Sequence, residues 1–559
     1  MNSDLEIARS VPLRSIPEVA ERAGIPELLV EPHGRHMAKI RLEPRALEPR
    51  AGVRVIGVTS INATPYGEGK TVTAIALVDA LHRMGKSAIG TLRQPSLGPI
   101  FGTKGGATGG GRAQVVPGED INLHFTGDLH AVSAAHNLLA AMADNHVFHG
   151  NRLDLVPREM LCTRTVDMND RSLRDVILGI GLTPLGATRE GAFDIVAASE
   201  VMAALTLATD LMDLKARLAR MVVGFARDGR PVTAADLRAQ GAMTVLLKDA
   251  VKPNLVQTLE GSPMLVHAGP FANVAPGNSS VVADRLARSL CDYVVTESGF
   301  GSECGFEKLV DLKCRHAGYQ PNVAVLVVST RALKWHGGAL ANPADREQAR
   351  KPAPEAVRLG AANLAKHVDN VRAFGCPCVV AINVFESDSE DELRVVEQEG
   401  HRAGATAVVR SAGHARGGAG AQELAGAVLR ALEHPAHVEP LYPLEWSLRE
   451  KIHAVATKMF GARDVRYSAV ARGRLDFYES HGYGGLPVCI AKTSSSLSHD
   501  PHLKNRPEGF TFPIEDARLY AGAGYVLPLA GKVLTMPGLP EVPAAEGIDI
   551  DAEGRIRGL

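Results

Sequence analysis

Between residues 53 and 409, short apolar runs alternate with longer stretches whose apolar residues recur on a helical period. That alternation limits the fold more than any other feature of the chain. The runs lie at 53–61, 88–92, 264–268, 293–296, 323–329, 378–385 and 405–409, and most are rich in Val and Ile. Runs of this length, apolar throughout rather than at alternate positions, predict strands buried on both faces, as in a mostly parallel sheet covered by helices. Helical spacing predicts helices over 71–84, 131–145, 197–219 and 355–374, and Ser15 with Pro17 and Glu18 reads as a capping box opening a short helix. The expected class is α/β, a P-loop-type mostly parallel sheet domain with additional smaller α/β domains. No internal repeat is visible. Glycine- and proline-rich or polar breaks divide the 559 residues into a nucleotide-binding unit of 1–120 with 290–375, an inserted α/β unit of 121–289 and a C-terminal unit of 376–559.

The first run is followed by Thr64, Pro65, Tyr66, Gly67, Glu68, Gly69, Lys70 and Thr71, and then by a helical pattern. A strand, a glycine-containing turn and a helix opening on Lys-Thr is the setting of a phosphate loop. Backbone N–H groups cradle phosphates, Lys70 supplies a point charge, and the Thr71 hydroxyl can ligate magnesium. Thr64 stands where the strict pattern asks for glycine. After the second run comes Arg93, then seven glycines within residues 98–111. Glycine costs a helix or strand interior about 0.5–1 kcal/mol relative to alanine, so this cluster predicts a loop approached closely by a ligand. An arginine at a strand's C-terminal end suits bidentate capture of a carboxylate or phosphate.

Composition narrows the partners. Sixty-one Lys and Arg against 62 Asp and Glu give a net charge of -1, so no nucleic-acid partner is expected. The longest stretch free of charged residues, 261–283, is broken by proline and glycine, and the N-terminus lacks an apolar core. No membrane association is expected, and the chain reads as cytoplasmic. Seven cysteines without a CxxC pair suit free thiols in a reducing compartment, with Cys376 and Cys378 structural.

The strings PYGEGKT (65–71), RQPSLGP (93–99), GTKGGATGGGRAQVVPGEDINLHFTGD (102–128), VKPNLVQTLEGSP (251–263), GPFANVAPGNS (269–279), VVTESGFGSECGFEKLVDLKCR (294–315), RALKWHGG (331–338), KTSSSLSHDP (492–501) and TMPGLP (535–540) together resemble the formate-tetrahydrofolate ligase family. The resemblance runs over nearly the whole chain. It implies a ligase that phosphorylates formate with ATP and passes the formyl group of formyl phosphate to tetrahydrofolate, giving 10-formyltetrahydrofolate, ADP and phosphate. By the same resemblance, Lys70 and Arg93 neutralise the transferred phosphoryl group, and Thr71 holds Mg2+. Asp128 is the candidate for orienting substrate or accepting the amine proton. Phe300, Trp335, Phe385 and His414 are the candidate substrate-binding residues. A monovalent cation (K+ or NH4+) as activator and a homotetramer are also implied.

The chain departs from the family pattern where aromatic rings are usual. His414 replaces the tryptophan that, with the counterpart of Phe385, stacks on the pterin. Trp335 stands for Met, Arg112 for Tyr and Ser495 for Tyr, whereas Phe385 is kept. These changes leave two alternatives open beside the family reaction. One is the same acyl-phosphate chemistry with a different amine acceptor or small acid, motivated by Arg112, Trp335, His414 and Ser495; with tetrahydrofolate kept as acceptor, Trp335 is instead expected to supply stacking that His414 lacks. The other is a P-loop ATPase acting as a switch protein.

Overall fold

The computed structural model describes residues 3–43, 48–104, 107–181, 187–340, 342, 346–531 and 533–559. A mixed sheet of twelve strands runs through the molecule. The strands are β1 (Val30–His33), β2 (Met37–Ile40), β3 (Arg54–Ser60), β4 (Ala88–Leu92), β5 (Gly109–Gly110), β6 (Ala113–Val116), β7 (Asn254–Thr258), β8 (Pro263–Val266), β9 (Tyr293–Gly301), β10 (Val323–Val328), β11 (Cys378–Asn383) and β12 (Ala407–Ser411). Their order is β1-β2-β7-β8-β4-β9-β3-β10-β11-β12, with β6 paired to β7 and β5 to β6. From β8 to β12 every neighbouring pair is parallel, and the β1, β2, β5, β6 and β7 pairings are antiparallel.

Each of the seven apolar runs became a strand of this sheet. Strand β10 shows why they read as unbroken. Ala324, Leu326 and Val328 enter the core on one face with Leu364 and Val368 of the helix Pro354–Arg372. Val323, Val325 and Val327 enter the core on the other face, with Ala74, Leu77, Val78 and Leu81 of the helix Lys70–Arg83. A strand with helices on both faces has no solvent side to carry polar residues.

Two expectations change. The helix read over 197–219 is two, Glu200–Leu207 and Leu211–Arg220. Asp210 accepts from the N–H groups of Met212 and Asp213, both at 2.8 Å, so a fresh N-cap outcompetes helix continuation. The sheet also crosses two of the expected boundaries: β7 and β8 come from within 121–289, and β11 and β12 from beyond 376. The separate core of the inserted segment is built from residues 129–251 with Ala268. All seven cysteines are free, and burial pushes the Cys378 thiol up to about 12. Among the described residues no helix is long and apolar enough to cross a membrane.

The helix Lys70–Arg83 is pinned to β7 by Asp79, whose carboxyl oxygen accepts from the Thr258 hydroxyl at 2.6 Å. Burial pushes this carboxyl up to about 7 from its ordinary 3.8. The folded state therefore keeps a proton that the unfolded chain gives up, and this group's contribution to stability falls as pH rises from about 4 to 7. Asp79→Asn is expected to flatten that part of the stability profile, read from urea midpoints at pH 5 and pH 8. An unaltered pH slope would contradict the assignment.

Candidate active site

The strands β4, β9, β3, β10, β11 and β12 lie side by side and point the same way, so their C-terminal ends share one edge of the sheet, where ligands bind in open α/β folds. Most of the residues singled out from the sequence leave that edge. Arg93 follows β4, residues 61–69 connect β3 to the helix Lys70–Arg83, and the helix Thr330–His336 with Trp335 follows β10. Phe385 lies two residues past β11, and His414 three residues past β12.

The phosphate-side corner is tied together by carboxylates. The Glu68 side chain accepts from the Thr64 N–H at 2.6 Å and faces the Lys70 ammonium at 3.4 Å, closing the loop on itself. Lys70 also donates to the Ser60 hydroxyl at 3.1 Å. Gly69 sits at φ +86°, and a Cβ there would lie 2.2 Å from Asn383 Nδ2, which donates to the Glu68 carbonyl at 3.3 Å. Only glycine meets both demands. On β9, between β4 and β3, the Glu297 carboxylate accepts from the Thr71 hydroxyl at 2.9 Å with one oxygen and faces Arg93 Nη2 at 3.5 Å with the other. Among the described residues the guanidinium has one further hydrogen bond, Nη1 to the Pro270 carbonyl at 3.3 Å, and its buried Nε has no partner. A Cβ on Gly299 would stand 2.6 Å from Nη1, so the backbone of β9 lies flat against the arginine. The corner balances two acids against two bases and leaves one of those bases under-bonded, which suits it to receive an anion.

The comparisons with known proteins agree with this picture. The family model described as "Formate--tetrahydrofolate ligase" matches residues 2–559. Proteins of that description from Roseiflexus sp. (strain RS-1), Roseiflexus castenholzii and Acidiphilium cryptum are 55%, 54% and 52% identical to this chain, each over the whole length of both. The chain belongs to the formate-tetrahydrofolate ligase family.

For this member of the formate-tetrahydrofolate ligase family, the remaining candidates lie in four places. Phe385 and His414 follow adjacent strands, joined by the Val384 N–H donating to the Ser411 carbonyl at 3.0 Å. The Arg331 guanidinium lies 3.8 Å over the Phe385 ring. His414 is exposed and leans on the glycine loop, its carbonyl accepting from the Arg112 N–H at 2.7 Å. Trp335 instead packs on Tyr66, ring centroids 6.1 Å apart at 70°. Phe300 holds a left-handed φ of +58°, and its carbonyl accepts from the Ser60 hydroxyl at 3.2 Å. Asp128 stands apart from this corner in its bonding. It is buried, 2.5 Å from the Lys39 ammonium, and accepts from Asn254 at 2.8 Å.

Glu297 is the residue that sequence reasoning passed over. Its partners Thr71 and Arg93 are 226 and 204 residues away in the chain, so no local pattern announces it. The support beneath the loop was equally invisible. Asn62 donates from its side chain to Glu303 at 2.6 Å and from its backbone to His367 Nε2 at 3.0 Å, and Lys492 lies 3.5 Å from the same Glu303. Burial holds His367 well below its ordinary value, so it stays neutral.

Gly299→Ala is expected to push Arg93 away from Glu297 and weaken inorganic phosphate binding by about tenfold or more in calorimetry, the loss of roughly one charge-assisted contact. A variant that binds phosphate like the native protein would show that Arg93 does not need this bare backbone.

Proposed function

We propose that this protein ligates formate to tetrahydrofolate with ATP, through formyl phosphate, releasing 10-formyltetrahydrofolate, ADP and phosphate. The observation that carries the reading is the corner joining Lys70, Thr71 and the under-bonded Arg93 on the C-terminal edge of the sheet. Full-length identity above 50% to ligases of that description supports it. Formate is a poor acyl donor because its oxygen leaves badly. Transfer of the γ-phosphoryl group forms a bond from a formate oxygen to phosphorus and breaks the bond to the ADP oxygen, leaving a mixed anhydride. Positioning and charge neutralisation are most of what such a transfer needs. In this reading the 64–69 backbone and Lys70 hold the phosphates, and Arg93 leaves Glu297 to pair with formate and then with formyl phosphate.

The tetrahydrofolate amine then attacks the formyl carbon. The carbon–oxygen bond to phosphate breaks, and the departing phosphate takes up the amine proton. Asp128, sealed against Lys39, is assigned instead to fixing the start of the helix Asp128–Phe148. Phe385, one face covered by Arg331, and the exposed His414 are the acceptor-side residues. Thr71 donates its proton to Glu297 and so keeps its oxygen lone pairs free. One hydroxyl with a nearby carboxylate fits Mg2+, which takes few protein oxygens and completes its shell with phosphates and water. Thr71 would hold Mg2+ with Glu297 behind it, and the ion would supply positive charge to the phosphates. A monovalent cation activator and a homotetramer complete the proposal.

ADP release measured with formate and tetrahydrofolate, singly and together, tests the reading. Turnover that needs both supports it. Formate dependence without any folate effect would favour another acceptor, and indifference to both would favour an ATPase. Lys70→Ala is expected to lower turnover about 10²–10³-fold while the fold persists, and full activity in that variant would reject the assignment of the loop.

A further inference from the structure

Trp335 lies on the nucleotide side of the edge. Its helix, Thr330–His336, is capped by Ser329, whose hydroxyl accepts from the Ala332 N–H at 3.2 Å. The indole meets the Tyr66 ring edge to face, and the Lys504 ammonium stands 3.5 Å from the indole centroid, covering one face. Lys504 also donates to the Leu340 carbonyl at 3.4 Å, and the Tyr66 hydroxyl to the Asn342 carbonyl at 3.3 Å. The next residue, Asn505, donates from its backbone to His336 Nδ1 at 3.0 Å. Its side-chain oxygen accepts from the Asn363 N–H at 2.9 Å, and the Asn363 amide donates to the Asn62 side chain at 2.8 Å. These contacts close a circuit around the loop: Asn62 at its start is fastened through Asn363 and Asn505, and Tyr66 at its middle through Trp335 and Lys504.

A loop that binds phosphates with its backbone must hold its N–H groups convergent, and ordering that backbone on binding would cost affinity. Aromatic packing capped by a cation is a way to order it beforehand. With one indole face under Lys504 and Tyr66 packed beside it, Trp335 is poorly placed to offer a pterin a free surface.

We infer that Trp335, held by Lys504, is the positioning residue of the nucleotide-binding loop, acting through Tyr66, and takes no part in stacking on the acceptor. This rests on the nucleotide-binding half of the proposed function.

The chain has two tryptophans, and the other, Trp446, is an exposed residue in a groove with Arg449 and Tyr467. In a Trp446→Phe protein, emission from Trp335 alone is expected to change saturably as ADP with Mg2+ is added. In Trp335→Met, the ADP dissociation constant measured by calorimetry should rise about tenfold, the weight of one aromatic contact, with the apparent KM for tetrahydrofolate unchanged. Lys504→Met keeps the indole in place and should weaken ADP by about threefold, which covers the case of an insoluble Trp335 variant. A raised tetrahydrofolate KM with native ADP affinity would overturn the inference in favour of acceptor stacking. Native ADP affinity in both variants would also overturn it. Absence of ADP binding by the native protein would reject the proposed function itself, whereas ADP binding to which Trp335 is silent would reject only this inference.

Discussion

The Glu297 carboxylate is the contact on which the arrangement of the candidate site depends. It is buried on β9, the strand between the one that delivers Arg93 and the one that delivers the 61–69 loop, and it takes the Thr71 hydroxyl on one oxygen and faces Arg93 with the other. Two chemical groups more than two hundred residues from it in sequence are thereby registered to a single planar group. Buried ion pairs add little net stability against well-packed apolar residues, but losing one partner strands a charge. The corner is therefore better understood as a positioning device than as a source of folding energy. On the proposed reading it is also exchangeable, because an incoming phosphate or carboxylate offers Arg93 shorter bonds than Glu297 and Pro270 do.

The parallel sheet makes that registration possible. Six strands pointing one way bring their exits into one row, and the row runs from Arg93 through the loop and Trp335 to Phe385 and His414. Beneath the row, Asn62, Glu303, His367 and Lys492 form a buried polar network at the point where β3 gives way to the loop. Such a network is costly unless its members are partnered. Here it fastens the loop's entry, while the Trp335 and Lys504 contacts fasten its middle.

Much of this was legible in the sequence. The unbroken apolar runs marked the strands of the parallel part because a strand covered on both faces carries no polar alternation. Two of the strands that escaped notice have polar residues at buried positions. β2 contains Lys39, which pairs with Asp128, and β7 contains Asn254 and Gln257, which bond Asp128 and Arg14. Their apolar signal is broken by groups whose partners are distant in the chain. The loop and Arg93 could be read because strand ends and glycine clusters are local signals, whereas Phe385 and His414 were named only through the family resemblance. Glu297 and the split at Asp210 could not, the first for want of a local pattern and the second because a cap competed with a strong helical period.

On the proposed function, formate is activated by phosphorylation at the corner held by Glu297. Turnover with formate labelled with 18O in both oxygens tests it directly, with the isotope content of the released phosphate measured by mass spectrometry. Each phosphate is expected to carry one oxygen from formate, because the bond broken by the amine lies between the formyl carbon and that oxygen. Phosphate free of label under conditions where the formylated product accumulates would contradict it.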